Sequence, residues 1–172
     1  MALVEQLEGI AARHLIPSLS RLLQDSVHGG ASVGFLAPLP PENAERYWEQ
    51  VLQQVQERTR LLLAVREGDE VVGAVQLALA TPQNGRHRAE VQKLFVHTAH
   101  RRQGIAKALL TALETAAREA GRTLLVLDTI TGSDAAKLYP QLGYQSAGVI
   151  PQYALSGDGV LEATQIFYRL LI

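Results

Sequence analysis

Between Val91 and Ala120 a strand-like run, a short loop of small and basic residues and a long amphipathic helix follow one another. This succession constrains the chain more than any other feature. Val91-Gln92-Lys93-Leu94-Phe95-Val96 reads as a strand. After the loop Arg101–Ala106, Ile105, Leu109, Ala112, Leu113, Ala116 and Ala120 recur at helical spacing. A strand that turns through such a loop into a helix leaves the N–H groups of the first turn without partners. Those donors, the helix dipole and the adjacent arginines make a site for phosphate oxygens. The expected ligand therefore carries a pyrophosphate.

The rest of the chain can be read outward from that unit. The first residues suggest a short strand. Leu15, Leu19, Leu22 and Leu23 predict a helix from about Ile10 to Ser26, in which Pro17 is tolerable only near the first turn or at a kink. His28–Phe35 is too rich in glycine for a regular element and reads as a loop. Pro40-Pro41-Glu42-Asn43 introduces a second helix with Tyr47, Val51, Leu52 and Val55 on its apolar side, and Trp48 is expected to pack there. Strands are predicted at Leu61–Val65 and Val71–Ala80 around the turn Glu67–Glu70, and near Ala89–Val96 after a polar loop. Gly121 stops the long helix. A short strand at Leu124–Leu127, a helix from Asp134 to Leu142, a strand from Gly143-Tyr144 and a last strand at Ala163–Leu170 complete the series. No internal repeat or linker interrupts it. The expected fold class is α/β (α+β), one domain over 1–172 with a mixed sheet flanked by helices.

Composition narrows the partners. The 172 residues carry a net charge of −1, which argues against a nucleic-acid partner. Yet six Lys/Arg stand against the single acid Glu90 between Arg86 and Lys107, around the loop just described. The absence of cysteine excludes disulfides, a protein thiolate nucleophile and cysteine-ligated metals. His97 and His100 have no third ligand nearby in the sequence, so no metal is expected. No basic segment with an apolar signal core opens the chain, and no run approaches the ~20 apolar residues that span a bilayer. The expected location is the cytoplasm, without a membrane partner, as monomer or homodimer.

A dinucleotide fold would present Gly-x-Gly-x-x-Gly, and a nucleoside-triphosphate loop would present Gly-Lys-Ser/Thr before its helix. The chain has neither. Arg101-x-x-Gly104-x-Ala106 instead resembles the acetyl-coenzyme A pyrophosphate loop of the GCN5-related N-acetyltransferase (GNAT) family. Ala135-Ala136-Lys137-Leu138-Tyr139 followed by Leu142-Gly143-Tyr144 is similar to that family's later helix–strand motif. Ala106 stands where glycine is also common and Leu138 where phenylalanine is common, and neither change blocks a backbone cradle. Outside that core, Val27–Phe35, Arg88–Leu94 and Leu127-Asp128-Thr129 resemble members of the family that confer toxin resistance by acetylating an amine.

The resemblance implies a mostly antiparallel, splayed sheet and acetyl-CoA as co-substrate, held by Arg101, Arg102, Gln103, Gly104, Ile105, Ala106 and Lys107. It also implies that backbone groups of Leu94, Phe95 and Val96 hold the pantetheine arm and acetyl oxygen. An alkyl amine of pKa near ~10 is mostly protonated at neutral pH and needs a base. Glu90 opens one strand and Asp128 ends the next, so parallel neighbours would bring both carboxylates to one cleft. The resemblance makes them the amine-binding and deprotonating pair, and makes Tyr139 the partner of the departing thiolate. His28 and Ser32 lie in the Gly-rich loop expected to cover the acceptor pocket, where the alternative is that they only shape a turn. The expected acceptor is a small toxin-, antibiotic- or amino-acid-like amine. Peptide or protein amines are the runner-up, and a non-catalytic acyl-CoA-binding module is the rival class.

Overall fold

The computed structural model describes residues 2–171. Within them one sheet is built from β1 (Val4–Gln6), β2 (Arg60–Glu67), β3 (Glu70–Leu79), β4 (Arg88–Val96), β5 (Leu124–Ile130), β6 (Gln145–Leu155) and β7 (Leu161–Leu170). The helices are α1 (Ile16–His28), α2 (Pro41–Gln56), α3 (Ile105–Glu119) and α4 (Asp134–Gln141). The strand order is β1-β2-β3-β4-β5-β7-β6. Every neighbouring pair is antiparallel except β4 and β5. This is the mixed, mostly antiparallel open sheet expected from the sequence. No helix among the described residues is long and apolar enough to cross a membrane.

The central strands bury both faces, which explains their near-continuous apolar runs. Leu63, Val65, Val72, Val75 and Leu77 pack with Leu109, Leu110 and Leu113 of α3. Leu62, Ala64, Val71 and Ala74 pack on the opposite face with Leu19, Leu22 and Leu23 of α1 and with Trp48, Val51 and Leu52 of α2. Trp48 is fully buried there, with its ring edge-on to Phe95. On the first face Gly73 is required by space, since a Cβ there would sit 2.6 Å from Ile105 Cγ2.

Several boundaries differ from the sequence reading; β2 runs on to Glu67, and β6 starts at Gln145 rather than at Gly143-Tyr144. The first helix is split: Gly9–Leu15 is a 3₁₀ segment, and the α-helix starts at Ile16 with Pro17 in its first turn. Proline lacks an N–H and fits where that donor would be unpaired anyway. β5 continues past Leu127 to Ile130, because Asp128, Thr129 and Ile130 pair with Ile166, Gln165 and Thr164 of β7. β7 begins earlier than Ala163, as Leu161 pairs with Leu155 across the turn.

The site is prepared by an irregularity in β4. Gln92 pairs with Gln76 and Phe95 with Ala74, so Lys93 and Leu94 together oppose Val75. This bulge places Lys93 at φ 53°, a left-handed conformation rarely taken by a residue with a side chain. A bulge bends its strand. β4 is paired with β5 only over Arg88–Glu90, and beyond that point the two parallel strands part.

Candidate active site

A cleft of about 860 Å³ opens where β4 and β5 separate. Its walls are the loop after α1, the bulged half of β4, the turn into α3, the end of β5, and the first turn and inner face of α4.

At one end lies the anion-binding turn. Arg102 at φ 61° and Gly104 at φ 79° both adopt left-handed backbone. The ladder of α3 begins with the Ala108 N–H donating to Gly104 O at 3.0 Å, and the helix has no side-chain cap. The amides of Ile105, Ala106 and Lys107 therefore lack helical acceptors. A Cβ on Gly104 would meet nothing within 4 Å, so the turn is open on that side. Arg101, Arg102 and Lys107 are exposed around it. Oriented amides, a 15-residue helix start and three cations form a cradle suited to a pyrophosphate.

The floor between the two ends is the free edge of β4. The His97 N–H donates to Val72 O at 2.9 Å, toward β3. Extended backbone alternates its amides, so the N–H groups of Leu94 and Val96 face the other edge, which β5 has left. Phe95 contributes only backbone, since its side chain is buried between α1 and α2.

At the other end the cleft is lined by Glu90, Lys93, Asp128, Ser32, Thr164 and Tyr153. Glu90 is half-buried and in register with Val126, two residues before Asp128. Asp128 Oδ2 accepts from Thr164 Oγ1 at 2.8 Å, and the same hydroxyl lies 3.0 Å from Thr129 O. Tyr139 also reaches the cleft, although its ring packs against Tyr144 and Phe167. Burial, with Asp128 nearby, pushes its pKa up to about 12. Its hydroxyl is thus protonated at neutral pH and can donate a hydrogen bond.

The residues singled out from sequence divide into two groups. Glu90, Asp128, Tyr139, Leu94, Phe95, Val96, Arg101, Arg102, Gly104, Ile105, Ala106, Lys107 and Ser32 converge on the cleft. Gln103 and His28 do not line it. Gln103 is exposed. His28 turns away, its Nε2 accepting from the Leu39 N–H at 3.3 Å. With Gln24 donating to Leu39 O, it ties α1 to the far end of the loop. His97 and His100 are held by Asp25 and Glu67, and no cluster of three or more metal-ligating side chains occurs among the described residues.

The sequence reading missed Lys93 and Thr164. Alternation along a regular strand gives no sign that Lys93 would reach the cleft, because the bulge aims it. Thr164 becomes visible only once β7 is placed beside β5.

Parted parallel strands over an amide-rich helix start make a cleft suited to a phosphate-bearing ligand, and comparison with known proteins gives the class. Residues 25–144 match the profile of the Acetyltransferase (GNAT) family. The chain belongs to that family. Rat N-acetyltransferase 8F1 is 41% identical over 83 residues, covering 47% of this chain and 38% of that protein. The chain thus spans about two fifths of the length of that curated relative. An N-acetyltransferase from Staphylococcus aureus Mu50 superimposes with a TM-score of 0.82 at 17% identity, over 100% of this chain and 99% of the other. A putative acetyltransferase from Salmonella typhimurium, solved with its cofactor acetyl-CoA, gives a TM-score of 0.81 at 18% identity, over 100% and 95%. At these identities the structures attest the fold.

Proposed function

We propose that the chain is an acetyl-CoA-dependent N-acetyltransferase acting on a primary amine of a small molecule, by direct transfer in a ternary complex. One observation carries this reading: a pair of carboxylates and an anion cradle line one cleft, joined by the free edge of a strand. The residues present fit the coenzyme. The uncapped first turn of α3 offers its amides to a diphosphate, and Arg101, Arg102 and Lys107 supply its countercharge. Acetyl-CoA supplies the acyl group as a thioester.

The chain's own groups then divide the work. Glu90 and Asp128 attract the ammonium form of the acceptor, and the Glu90 carboxylate, without a side-chain hydrogen bond among the described residues, takes its proton directly or through water. The amides of Leu94 and Val96 donate toward the acetyl oxygen, where negative charge develops. As the N–C bond forms and the C–S bond breaks, the Tyr139 hydroxyl donates to the departing sulfur. With no cysteine in the chain, a cysteine acyl-enzyme is excluded.

The finer resemblance, to the tabtoxin-resistance acetyltransferase, rests on Val27–Phe35, Arg88–Leu94 and Leu127–Thr129 and supports an amino-acid-like acceptor. Release of free thiol from acetyl-CoA over a panel of small amines and lysine peptides tests the reading. Glu90→Gln is expected to slow transfer about 10²-fold, the usual worth of a general base, with coenzyme affinity nearly unchanged. Wild-type turnover in that variant would remove Glu90 from the chemistry, and activity on peptides alone would overturn the small-molecule acceptor.

A further inference from the structure

Two cations stand behind and beside the carboxylate pair, and they are not equivalent. Arg60 is consumed by the protein itself. Its Nε donates to Gln54 Oε1 at 2.7 Å, and its Nη1 to Gln76 Oε1 and Gln92 Oε1, both at 2.8 Å. Gln76 is fully buried and is held in turn by Tyr47. This network braces the sheet beneath Glu90.

Lys93 is different. It sits in the β4 bulge, half-buried, at the acceptor end of the cleft. Its ammonium donates to the Val33 carbonyl and lies 6.0 Å from the Phe35 ring centroid. Gly34, at φ 85°, makes room for it: a Cβ there would stand 3.0 Å from Nζ. No carboxylate lies within 4.0 Å of Nζ among the described residues, although Asp128 and Glu90 are close enough to favour its charge. Burial and Arg60 act against that charge. An ammonium has three donors, and Val33 takes one. A half-buried cation on the cleft wall, with spare donors and no ion-pair partner among the described residues, is free to bind an anionic group of a ligand.

We propose that Lys93 is a specificity-determining residue that binds a carboxylate of the acceptor, so that the substrate is an amino acid bearing both the amine and an acid group. This deepens the small-amine reading above and rests on it. Glu90 and Asp128 receive the ammonium, Lys93 receives the carboxylate, and the loop Gly29–Gly34 is the wall that holds Lys93 in place. Arg101, Arg102 and Lys107 cannot substitute, since they surround the cradle at the other end.

The test uses the full chain with acetyl-CoA and the proteinogenic amino acids, each beside its carboxamide and its decarboxylated amine. The readout is the ratio of kcat/KM for acid over carboxamide within each protein. The wild type is expected to prefer the acid by at least ~10-fold, the scale of a charge-assisted hydrogen bond. Lys93→Gln should bring the ratio close to one, and Lys93→Arg should restore part of it. Because each ratio is internal to one protein, a general loss of activity cancels. Binding of the same acids and carboxamides to the CoA-saturated protein, followed by calorimetry, reads Lys93 without turnover. If the acids bind through Lys93 but no amine is acetylated, the transferase reading fails and the carboxylate site stands. A wild-type protein that ignores the carboxylate, a ratio unchanged in Lys93→Gln, or no binding by any acid would overturn the proposal.

Discussion

Burial keeps the Tyr139 phenol protonated. Its phenol sits among Tyr144, Phe167 and the core under α3, and its pKa is raised to about 12 by that burial and by Asp128. A tyrosine in the unfolded chain titrates near ~10. The folded state therefore favours the protonated phenol, and this contribution is fully present below pH ~10 and lost as pH rises through about 12. Tyr139→Phe should accordingly give a shallower fall of thermal stability over that alkaline window, while Tyr144, whose pKa burial also raises, keeps its share. The same substitution should lower kcat about tenfold or more with coenzyme affinity retained, if the hydroxyl serves the leaving thiolate. Unchanged kcat with the altered alkaline profile would leave Tyr139 a packing residue.

Among the elements, β4 and α3 position everything else, and they meet at Gly73. The close approach of Ile105 Cγ2 and Leu109 Cδ1 to the Gly73 backbone fixes how deeply the helix start sits against the sheet. Gly73→Ala forces a β-branched isoleucine or the helix itself to move. It is expected to cost about 1–3 kcal/mol, as overpacked cores do, measured by the denaturant midpoint, and to weaken coenzyme binding because the cradle moves with α3. A variant with both values unchanged would show that the helix start is not seated by this contact. The existence of these elements was legible, since Leu109, Leu113 and Ala116 keep the helical period and Val91–Val96 is a dense apolar run between polar loops. Their local deviations were not. Nothing in the spacing announces that Lys93 and Leu94 share one partner, so the turn of Lys93 into the cleft is a property of the pairing with β3. His28 misleads for a similar reason: its place in a glycine-rich loop suggests a ligand contact, but Leu39 offers it a backbone partner 11 residues on.

For the whole molecule, the decisive event is non-local. β7 enters between β5 and β6. It brings Thr164 against Asp128 and places Tyr153 of β6 at the cleft, from positions far along the chain. Local periodicity carries no information on that insertion, whereas the turn from β4 into α3, built from consecutive residues, was plain in the sequence. The consequence is a molecule in which β4, α3 and the loop after α1 line one cleft where β4 and β5 cease to pair. Binding there should stabilise the fold as a unit: acetyl-CoA at ~100 times its Kd adds about 2.7 kcal/mol. For a chain of this size that is a rise of roughly 5–10 °C in Tm. With a net charge of only −1, long-range steering is slight, and the electrostatic share must come from Arg101, Arg102 and Lys107 at the mouth. Raising salt from ~0.05 to ~0.5 M shortens the screening length well below 10 Å, so the Tm rise at fixed acetyl-CoA should shrink. Arg101→Ala with Arg102→Ala should lower the rise at low salt and flatten its salt dependence. A rise undiminished by salt would put the binding energy in the amides of Ile105, Ala106 and Lys107 and leave the arginines without a part in it.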